Sequence, residues 1–254
     1  MNQTVVNDRP ATGYLPRYAV EGHGPLLVFI SGLDGTGQLF FKQSPELSRS
    51  YRVVTFRSRE RGRFTYEDLA DDVAAIIKDQ RERRATIVAE SFGGGVALTF
   101  ALRHPHMIDR LVVINSFPRF RNRIEIKLGA WLASALPFPS LWPMRKGACI
   151  LGLWADGVSK EDRRRFFEAI KTVEGEGYVR RLKLIRDLDL RDQLSNIHAP
   201  TLFIAADKDR LINSVREARA MARRVPHAAM KIIKGAGHAC LLGNRVRLAE
   251  ILAD

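Results

Sequence analysis

Residues Thr86 to Gly95 read TIVAESFGGG and are the most informative segment of the chain. Its β-branched and apolar start predicts a strand, its glycine cluster predicts the beginning of a helix, and a serine lies on the turn between them. Because a serine hydroxyl is a weak nucleophile, enzymes that use one present it on a sharp turn beside a base and backbone N–H donors. Such a turn needs small residues two positions before and after the serine, and Ala89 and Gly93 meet that requirement. Ser91 is therefore a candidate nucleophile, although the same pattern also occurs in ordinary strand-to-helix turns.

Two downstream segments supply the partners that a serine nucleophile needs. Residues 228–233 form an apolar run that predicts a strand, and the glycine-flanked loop KGAGH follows it and ends at His238. Residues 200–206 predict a buried strand, and the loop after it carries Asp207 and Asp209. The chain order is serine, then acid, then histidine, which differs from the orders in chymotrypsin and subtilisin. His238 is the candidate general base.

These segments together resemble the α/β-hydrolase superfamily, and the resemblance covers nearly the whole chain. Another apolar run, PLLVFI at residues 25–30, opens into SGLDGTG at residues 31–37, which is similar to the family's His-Gly-x-Gly loop. The resemblance implies that the backbone N–H groups of Leu33 and Phe92 form an oxyanion hole. Ser31 stands where the family usually has histidine. Since the donors would be main-chain groups, that difference affects the rigidity of the loop more than the donors themselves.

Two aspartates compete for the role of the triad acid, because either could reach His238 from the same loop. The family pattern aligns Ala206 with the glycine after the strand and Asp209 with the acid, which leaves Asp207 as a turn-forming residue. Some members of the family carry the acid after the sixth strand instead. That position here offers Asn115 and no carboxylate, so the resemblance favours Asp209.

The alternation of short apolar runs with longer amphipathic ones predicts an α/β fold: a mostly parallel central sheet flanked by helices. Residues 52–56 predict another strand, and residues 67–83 predict a helix with one apolar face. A chain of 254 residues can bury about 70–75% of its unfolded surface, which suits one large domain. Residues 118–196 contain helix-forming runs and no clear strand, so they resemble the helical cap of this superfamily. We call residues 118–196 the cap segment, and residues 1–117 and 197–254 are the predicted hydrolase core.

The most apolar part of the cap segment is WLASALPFPSLWP, residues 131–143. A cap of this composition can wall an apolar acyl or alkyl pocket over Ser91, or the same side chains can pack the cap onto the core. Prolines interrupt the run, so it is too short to span a bilayer, which needs about 20 apolar residues. The predicted substrate-binding residues are Trp131, Leu132, Leu136, Phe138 and Trp142.

The formal charge of +13 suggests a partner of opposite charge. Arginine-rich clusters in the cap segment could attract an anionic substrate or make a peripheral contact with an anionic membrane surface, or they could form an ordinary solvated surface. No nucleic-acid-binding module accompanies the charge, so we expect no nucleic-acid partner. Two cysteines and a polar amino terminus without an apolar signal region predict a cytoplasmic protein.

The expected function is a serine hydrolase that cleaves a small-molecule carboxylic ester through an acyl-enzyme intermediate. The same residues could serve a thioesterase, a lactonase or an acyltransferase. From a different class, the fold also serves ligand receptors and hydroxynitrile lyases. Ser91 excludes the aspartate nucleophile of dehalogenases and epoxide hydrolases, and the motifs predict neither a metal nor a cofactor.

Overall fold

The computed structural model describes residues 5–6, 14–121, 123–155 and 157–253. Within these residues, eight strands form one sheet with the order β1-β2-β4-β3-β5-β6-β7-β8. The six strands β3 to β8 are all parallel to their neighbours among them, whereas β2 runs antiparallel to both β1 and β4. The predicted α/β class with a mostly parallel sheet is confirmed. The strands are β1 Val5–Val6, β2 Tyr18–Glu21, β3 Leu26–Ile30, β4 Arg52–Phe56, β5 Ala85–Glu90, β6 Ile108–Ile114, β7 Thr201–Ala206 and β8 Ala228–Ile233.

The inner strands are apolar because helices cover both faces of the sheet. All five residues of β3 are buried, and so are the first five residues of β5. Strands buried on both sides read as continuous apolar runs, which is why the sequence pattern finds them. The pattern misses β1 and β2, since β1 has two residues and only the first of the four residues of β2 is buried.

Nine α-helices lie in the described residues, and short 3₁₀ turns connect several of them. The helix predicted over residues 67–83 is shorter, because Arg81 adopts a left-handed conformation with φ 59° that a helix cannot continue. Thr65 and Asp68 cap its first turn reciprocally. The helices are α1 Ser44–Leu47, α2 Tyr66–Asp79, α3 Phe92–Arg103, α4 Arg123–Ala135, α5 Trp142–Gly152, α6 Lys160–Lys171, α7 Gly175–Asp187, α8 Ser214–Ala222 and α9 Leu248–Ala253.

Two buried clusters place the helices on opposite faces of the sheet. Helices α2, α3 and α8 pack with one set of alternating strand residues, and α1 and α9 pack with the other set. Along β5, Ile87 belongs to the first cluster and Val88 to the second. This alternation follows from the period of two in a strand. Parallel strands also end at one edge of the sheet, where an open α/β sheet binds its ligands.

The cap segment contributes α4 to α7 between β6 and β7. Leu184 and Ile185 of α7 enter the cluster that contains α2 and α3, so this helix joins the cap segment to the core. Trp154 and Phe166 anchor a separate cluster with Leu39 and Leu242 of the core. The division of domains at residues 118 and 196 stays a prediction. No helix in the described residues is both long and apolar enough to cross a membrane.

Candidate active site

Ser91 lies on a strained turn between the end of β5 and the first residue of α3. Its backbone has φ 55° and ψ −120°, which is rare for a residue other than glycine. The turn can form because the positions after it, which have no room for a side chain, are glycines. A Cβ at Gly93 would lie 2.4 Å from the carbonyl oxygen of Ile30, and one at Gly94 would lie 2.1 Å from Ser116 Oγ. The glycine cluster therefore lets α3 start close enough to the sheet to present the serine.

Hydrogen bonds hold the backbone of this turn in place. The N–H of Ser91 donates to the carbonyl oxygen of Ile114 at 2.9 Å. The hydroxyl of Ser116 donates to the carbonyl oxygen of Ser91 at 2.7 Å. Both partners lie at the end of neighbouring β6, so the sheet itself positions the turn.

The three predicted triad side chains lie in one hydrogen-bonded chain. His238 Nδ1 is 2.7 Å from Asp209 Oδ2, and His238 Nε2 is 2.9 Å from Ser91 Oγ. Because an ionised carboxylate only accepts hydrogen bonds, Nδ1 carries the proton. In the neutral ring, Nε2 then accepts from the serine hydroxyl. This is the arrangement in which a histidine can remove a proton from a serine.

Asp209, and not Asp207, faces the imidazole. The side chain of Asp209 is 1% exposed, and its Oδ1 accepts from the N–H groups of Leu211 at 2.9 Å and Ile212 at 3.1 Å. The Ser214 hydroxyl also donates to Oδ2. Burial opposes ionisation, but the charge of His238 and these hydrogen bonds hold the pKa of Asp209 below its usual range. Asp207 instead accepts from the N–H of Gly235 at 2.6 Å.

The surroundings of Ser91 shift the pKa values of both His238 and Glu90. Burial lowers the pKa of His238, but the attraction of Asp209 outweighs it, so that this pKa lies above the usual value. Glu90 precedes the serine, and its buried Oε1 has no hydrogen-bond partner in the described residues. Burial raises the pKa of Glu90 to about 8. At neutral pH this carboxyl is protonated, so Asp209 provides the negative charge beside the histidine.

The predicted oxyanion loop approaches the serine closely. A Cβ at Gly32 would lie 3.5 Å from Ser91 Cβ. Asp34 Oδ1 accepts from the N–H and the hydroxyl of Thr36 at 2.8 and 2.6 Å, which closes the loop on itself. Phe92 is the first residue of α3, so its N–H belongs to the helix start, where no intrahelical acceptor exists. The role of Leu33 and Phe92 N–H as oxyanion donors stays a prediction.

Arg181 of α7 is a residue of this site that the sequence analysis does not single out. It is fully buried. Its guanidinium donates to the carbonyl oxygens of Leu33 at 2.9 Å, Asp34 at 3.1 Å and Arg59 at 2.9 Å. Burial lowers its pKa to about 10, and it remains charged at neutral pH. Nothing in the sequence separates it from the other cap-segment arginines, because its role depends entirely on packing.

Asn115 connects the acid loop to the histidine loop. It follows β6 with φ 46° and is buried. Its Nδ2 donates to the carbonyl oxygen of His238 at 2.8 Å, and its Oδ1 accepts from the N–H of Ala206 at 2.8 Å. An asparagine directly after a strand tolerates positive φ better than most residues, and that was the available sequence signal.

The five predicted substrate-binding side chains do not form one wall. Trp131 is 63% exposed and Leu136 is 47% exposed, so the structure does not bring these two to a pocket over Ser91. Trp131 lies on the solvent face of α4, whose other face carries Ala130 and Ile126, and Leu136 follows the last residue of this helix. Leu132 is half-buried.

Phe138 and Trp142 are both partly buried against the cluster of Trp154, and Phe138 also packs on a second cluster. Phe138 packs in the same cluster as Leu33 of the oxyanion loop, with its ring 5.3 Å from that of Tyr178. Trp142 packs edge-on against Phe167 at 6.2 Å. Of the predicted set, Phe138 therefore has a structural connection to the residues around Ser91.

Comparison with known proteins identifies the family of this chain. Residues 27–251 match the model of a family described as the alpha/beta hydrolase family. The chain belongs to the alpha/beta hydrolase family. A Yersinia enterocolitica protein named "Putative carbamate hydrolase RutD" is 27% identical over 249 residues, which cover 89% of this chain and 85% of that protein. A protein of the same name from Agrobacterium fabrum is 27% identical over 241 residues, with 86% and 88% covered.

Solved structures of the same fold include enzymes with different names. An esterase from Exiguobacterium antarcticum has a TM-score of 0.82 and 21% identity, and 94% of each chain is covered. An enol-lactonase from Burkholderia xenovorans has a TM-score of 0.75 and 23% identity, with 87% of this chain and 88% of that chain covered. At such identities the structures show the shared fold. The family and the names of the relatives together support a hydrolytic activity.

Proposed function

We propose that this protein is a serine hydrolase that cleaves a carboxylic ester with an apolar acyl or alkyl group through an acyl-enzyme intermediate. The observation that carries the proposal is the hydrogen-bonded chain from Ser91 Oγ through His238 to the buried Asp209. Asp209 also holds its own loop through the N–H groups of Leu211 and Ile212. Its second oxygen faces His238 Nδ1 and leaves Nε2 to the serine hydroxyl, which is the arrangement a histidine needs to accept that proton.

The proposed reaction uses the same three side chains twice. His238 Nε2 accepts the Ser91 proton while Oγ attacks the ester carbonyl, and the N–H groups of Leu33 and Phe92 stabilise the oxyanion. The imidazolium then donates that proton to the departing alcohol, which leaves the acyl group on Ser91. A water molecule, deprotonated by Nε2, attacks the acyl-enzyme, and the carboxylic acid leaves as Ser91 recovers its proton. Asp209 stays ionised throughout.

A second candidate is hydrolysis of a carbamate by the same residues. The RutD proteins to which the chain is similar carry the name carbamate hydrolase, and a carbamate carbonyl is attacked in the same way as an ester carbonyl. Thioesters, lactones and transfer of the acyl group to an alcohol differ only in the leaving or accepting group. Phe138 and Leu33 of the oxyanion loop pack on the same apolar cluster, which supports an apolar group in the substrate.

A substrate panel separates these possibilities. Nitrophenyl esters from acetyl to octanoyl are compared with nitrophenyl N-alkyl carbamates and with lactones, and Ser91→Ala is the control. We expect kcat/KM for esters to rise about two- to fourfold per added methylene until the pocket is full, because each buried CH₂ contributes about 0.8 kcal/mol. Higher kcat/KM for matched carbamates would replace the ester assignment. Turnover of none of the three classes would favour a binding protein.

A further inference from the structure

Helix α4 carries an apolar stripe that faces solvent. Ile124 is 84% exposed, Leu128 is 55% exposed and Trp131 is 63% exposed. Positions i, i+4 and i+7 share one face of a helix, so the three side chains lie in a row. The opposite face is occupied, since Ala130 is buried and Ile126 packs beside it. Helix α4 therefore has two apolar faces: one packs inside the cap segment, and the stripe faces solvent.

Helix α5 repeats the arrangement. Met144 is 50% exposed, Leu151 is 74% exposed, and Ala148 between them is also exposed. Their spacing again places them on one helical face. Trp142 and Cys149 pack into the cluster of Trp154 from another side of the same helix. Two consecutive helices of the cap segment thus both present apolar rows to solvent, and exposed apolar surface of this kind is typical of an interaction site.

The charge around these rows indicates what covers them. Lys127 of α4 and Lys146 of α5 are exposed, and the whole chain carries +13. A second copy of the chain would bring the same positive charge to the contact. An anionic lipid surface offers negative headgroups above an apolar interior, and it matches both features. Arg145 of α5 does not belong to this charge, because its guanidinium packs over the rings of Phe138 and Tyr178.

The dimensions of the helices fit a surface contact and not a transmembrane span. The helices have 13 and 11 residues, whereas a span needs about 20. Tryptophan is enriched at the boundary between headgroups and acyl chains, and Trp131 is the largest side chain of the α4 row. We propose that α4 and α5 dock this protein on the surface of an anionic lipid bilayer through Ile124, Leu128, Trp131, Met144 and Leu151.

The docked face lies close to the proposed reaction site. The inner face of α4 shares a cluster with Leu33 of the oxyanion loop, so about one helix diameter, roughly 10 Å, separates the lipid contact from that loop. Docking would bring the entrance of the site near the lipid phase, where apolar esters concentrate. The docking itself does not depend on hydrolysis.

The test is vesicle sedimentation of the full-length protein. Vesicles of phosphatidylcholine alone are compared with vesicles in which a third of the lipid is phosphatidylglycerol. We expect binding to the anionic vesicles that decreases as salt increases. The triple variant Ile124→Gln, Leu128→Gln and Trp131→Gln should lower the partition coefficient about a hundredfold or more, because three apolar side chains no longer enter the bilayer. Ile232→Thr is the matched control, since Ile232 is 42% exposed but lies on β8.

Each other outcome contradicts the proposal. Absence of binding to anionic vesicles would overturn it, and so would equal binding of the triple variant, which would mean a purely electrostatic contact. A concentration-dependent dimer that the triple variant abolishes would assign the face to a second copy. The Ser91→Ala variant should bind vesicles like the parent, so failure of the docking proposal can be distinguished from failure of the proposed hydrolysis.

Discussion

Replacement of Arg181 tests how the cap segment controls the proposed oxyanion hole. The Arg181 guanidinium donates to the carbonyl oxygens of Leu33 and Asp34, and these hydrogen bonds hold the backbone that follows the N–H of Leu33. Arg181→Ala removes them. Each hydrogen bond from a charged donor contributes about 1.5–3 kcal/mol, but the variant also removes the cost of burying a guanidinium. We therefore expect a net loss of about 1–4 kcal/mol of stability.

The catalytic effect has an upper limit set by the donor itself. Complete loss of one oxyanion donor costs about 10²–10³ in kcat. Because Arg181 acts through the backbone of the loop, Arg181→Ala should reduce kcat by about ten- to a hundredfold with little change in KM. Arg181→Lys restores the charge but not the planar arrangement of donors, so it should recover only part of kcat.

Arg180 offers a matched control on the same helix. Its Nε donates to the carbonyl oxygen of Phe64 at 2.5 Å, so Arg180→Ala removes a hydrogen bond from α7 to the core without touching the oxyanion loop. Kinetics are measured well below the melting temperature of each variant. If the folded Arg181→Ala or Arg181→Lys variant keeps kcat within twofold of the parent, or if Arg180→Ala loses as much, Arg181 does not position the loop. Should Arg181→Ala not fold, the lysine variant alone decides.

The remaining predictions concern the acid, the connecting asparagine and the unpaired carboxyl. Asp209→Asn should reduce kcat by about 10⁴, whereas Asp207→Asn, which keeps an acceptor for Gly235, should leave it nearly unchanged; equal losses in ester assays would contradict the assignment. Asn115→Ala should lower the free energy of unfolding in urea by about 1–3 kcal/mol, because buried groups at Ala206 and His238 lose their partner; a change below about 0.5 kcal/mol would show that water replaces the amide. The pKa of Glu90 is raised from 4.5 to about 8, so the folded state keeps a proton that the unfolded state has lost. The contribution of Glu90 to the free energy of unfolding is fully present below pH 4.5 and is lost as pH rises to about 8, at roughly 1.4 kcal/mol per pH unit or less. Glu90→Gln should therefore reduce the dependence of the free energy of unfolding on pH, measured by urea titration at several pH values. An unchanged dependence would assign it to another group.

Local patterns were enough for the buried parallel strands of the sheet and for the order of the candidate residues, but not for β1 and β2. The turn around Ser91 can be read from sequence because its strand, its glycines and its helix start are contiguous. His238 and Asp209 were found because each follows an apolar strand, and parallel strands bring such positions to one edge. The structure joins these three by hydrogen bonds, and it places Asp207 against Gly235 instead.

Tertiary contacts determine the roles of Arg181 and Asn115, which local sequence patterns do not indicate. Arg181 and Asn115 bind backbone carbonyls and N–H groups of segments far away in the chain, and their own neighbourhoods carry no motif. Trp131 and Leu136 looked like pocket walls because they are apolar, but the face of a cap helix that turns inward depends on the helices beside it. A composition-based prediction cannot choose between those faces.

Ser91 forms a covalent acyl-enzyme in the proposed reaction. Labelling of the protein by a fluorophosphonate, followed by intact mass measurement and peptide mapping, tests that step. We expect one adduct per chain on the peptide that contains Ser91. We also expect no adduct in Ser91→Ala and much slower labelling in Asp209→Asn, because the imidazole then loses its orienting carboxylate. An adduct on any other residue, or ester hydrolysis that persists in Ser91→Ala at more than about a tenth of the parent rate, would contradict the proposed acyl-enzyme on Ser91.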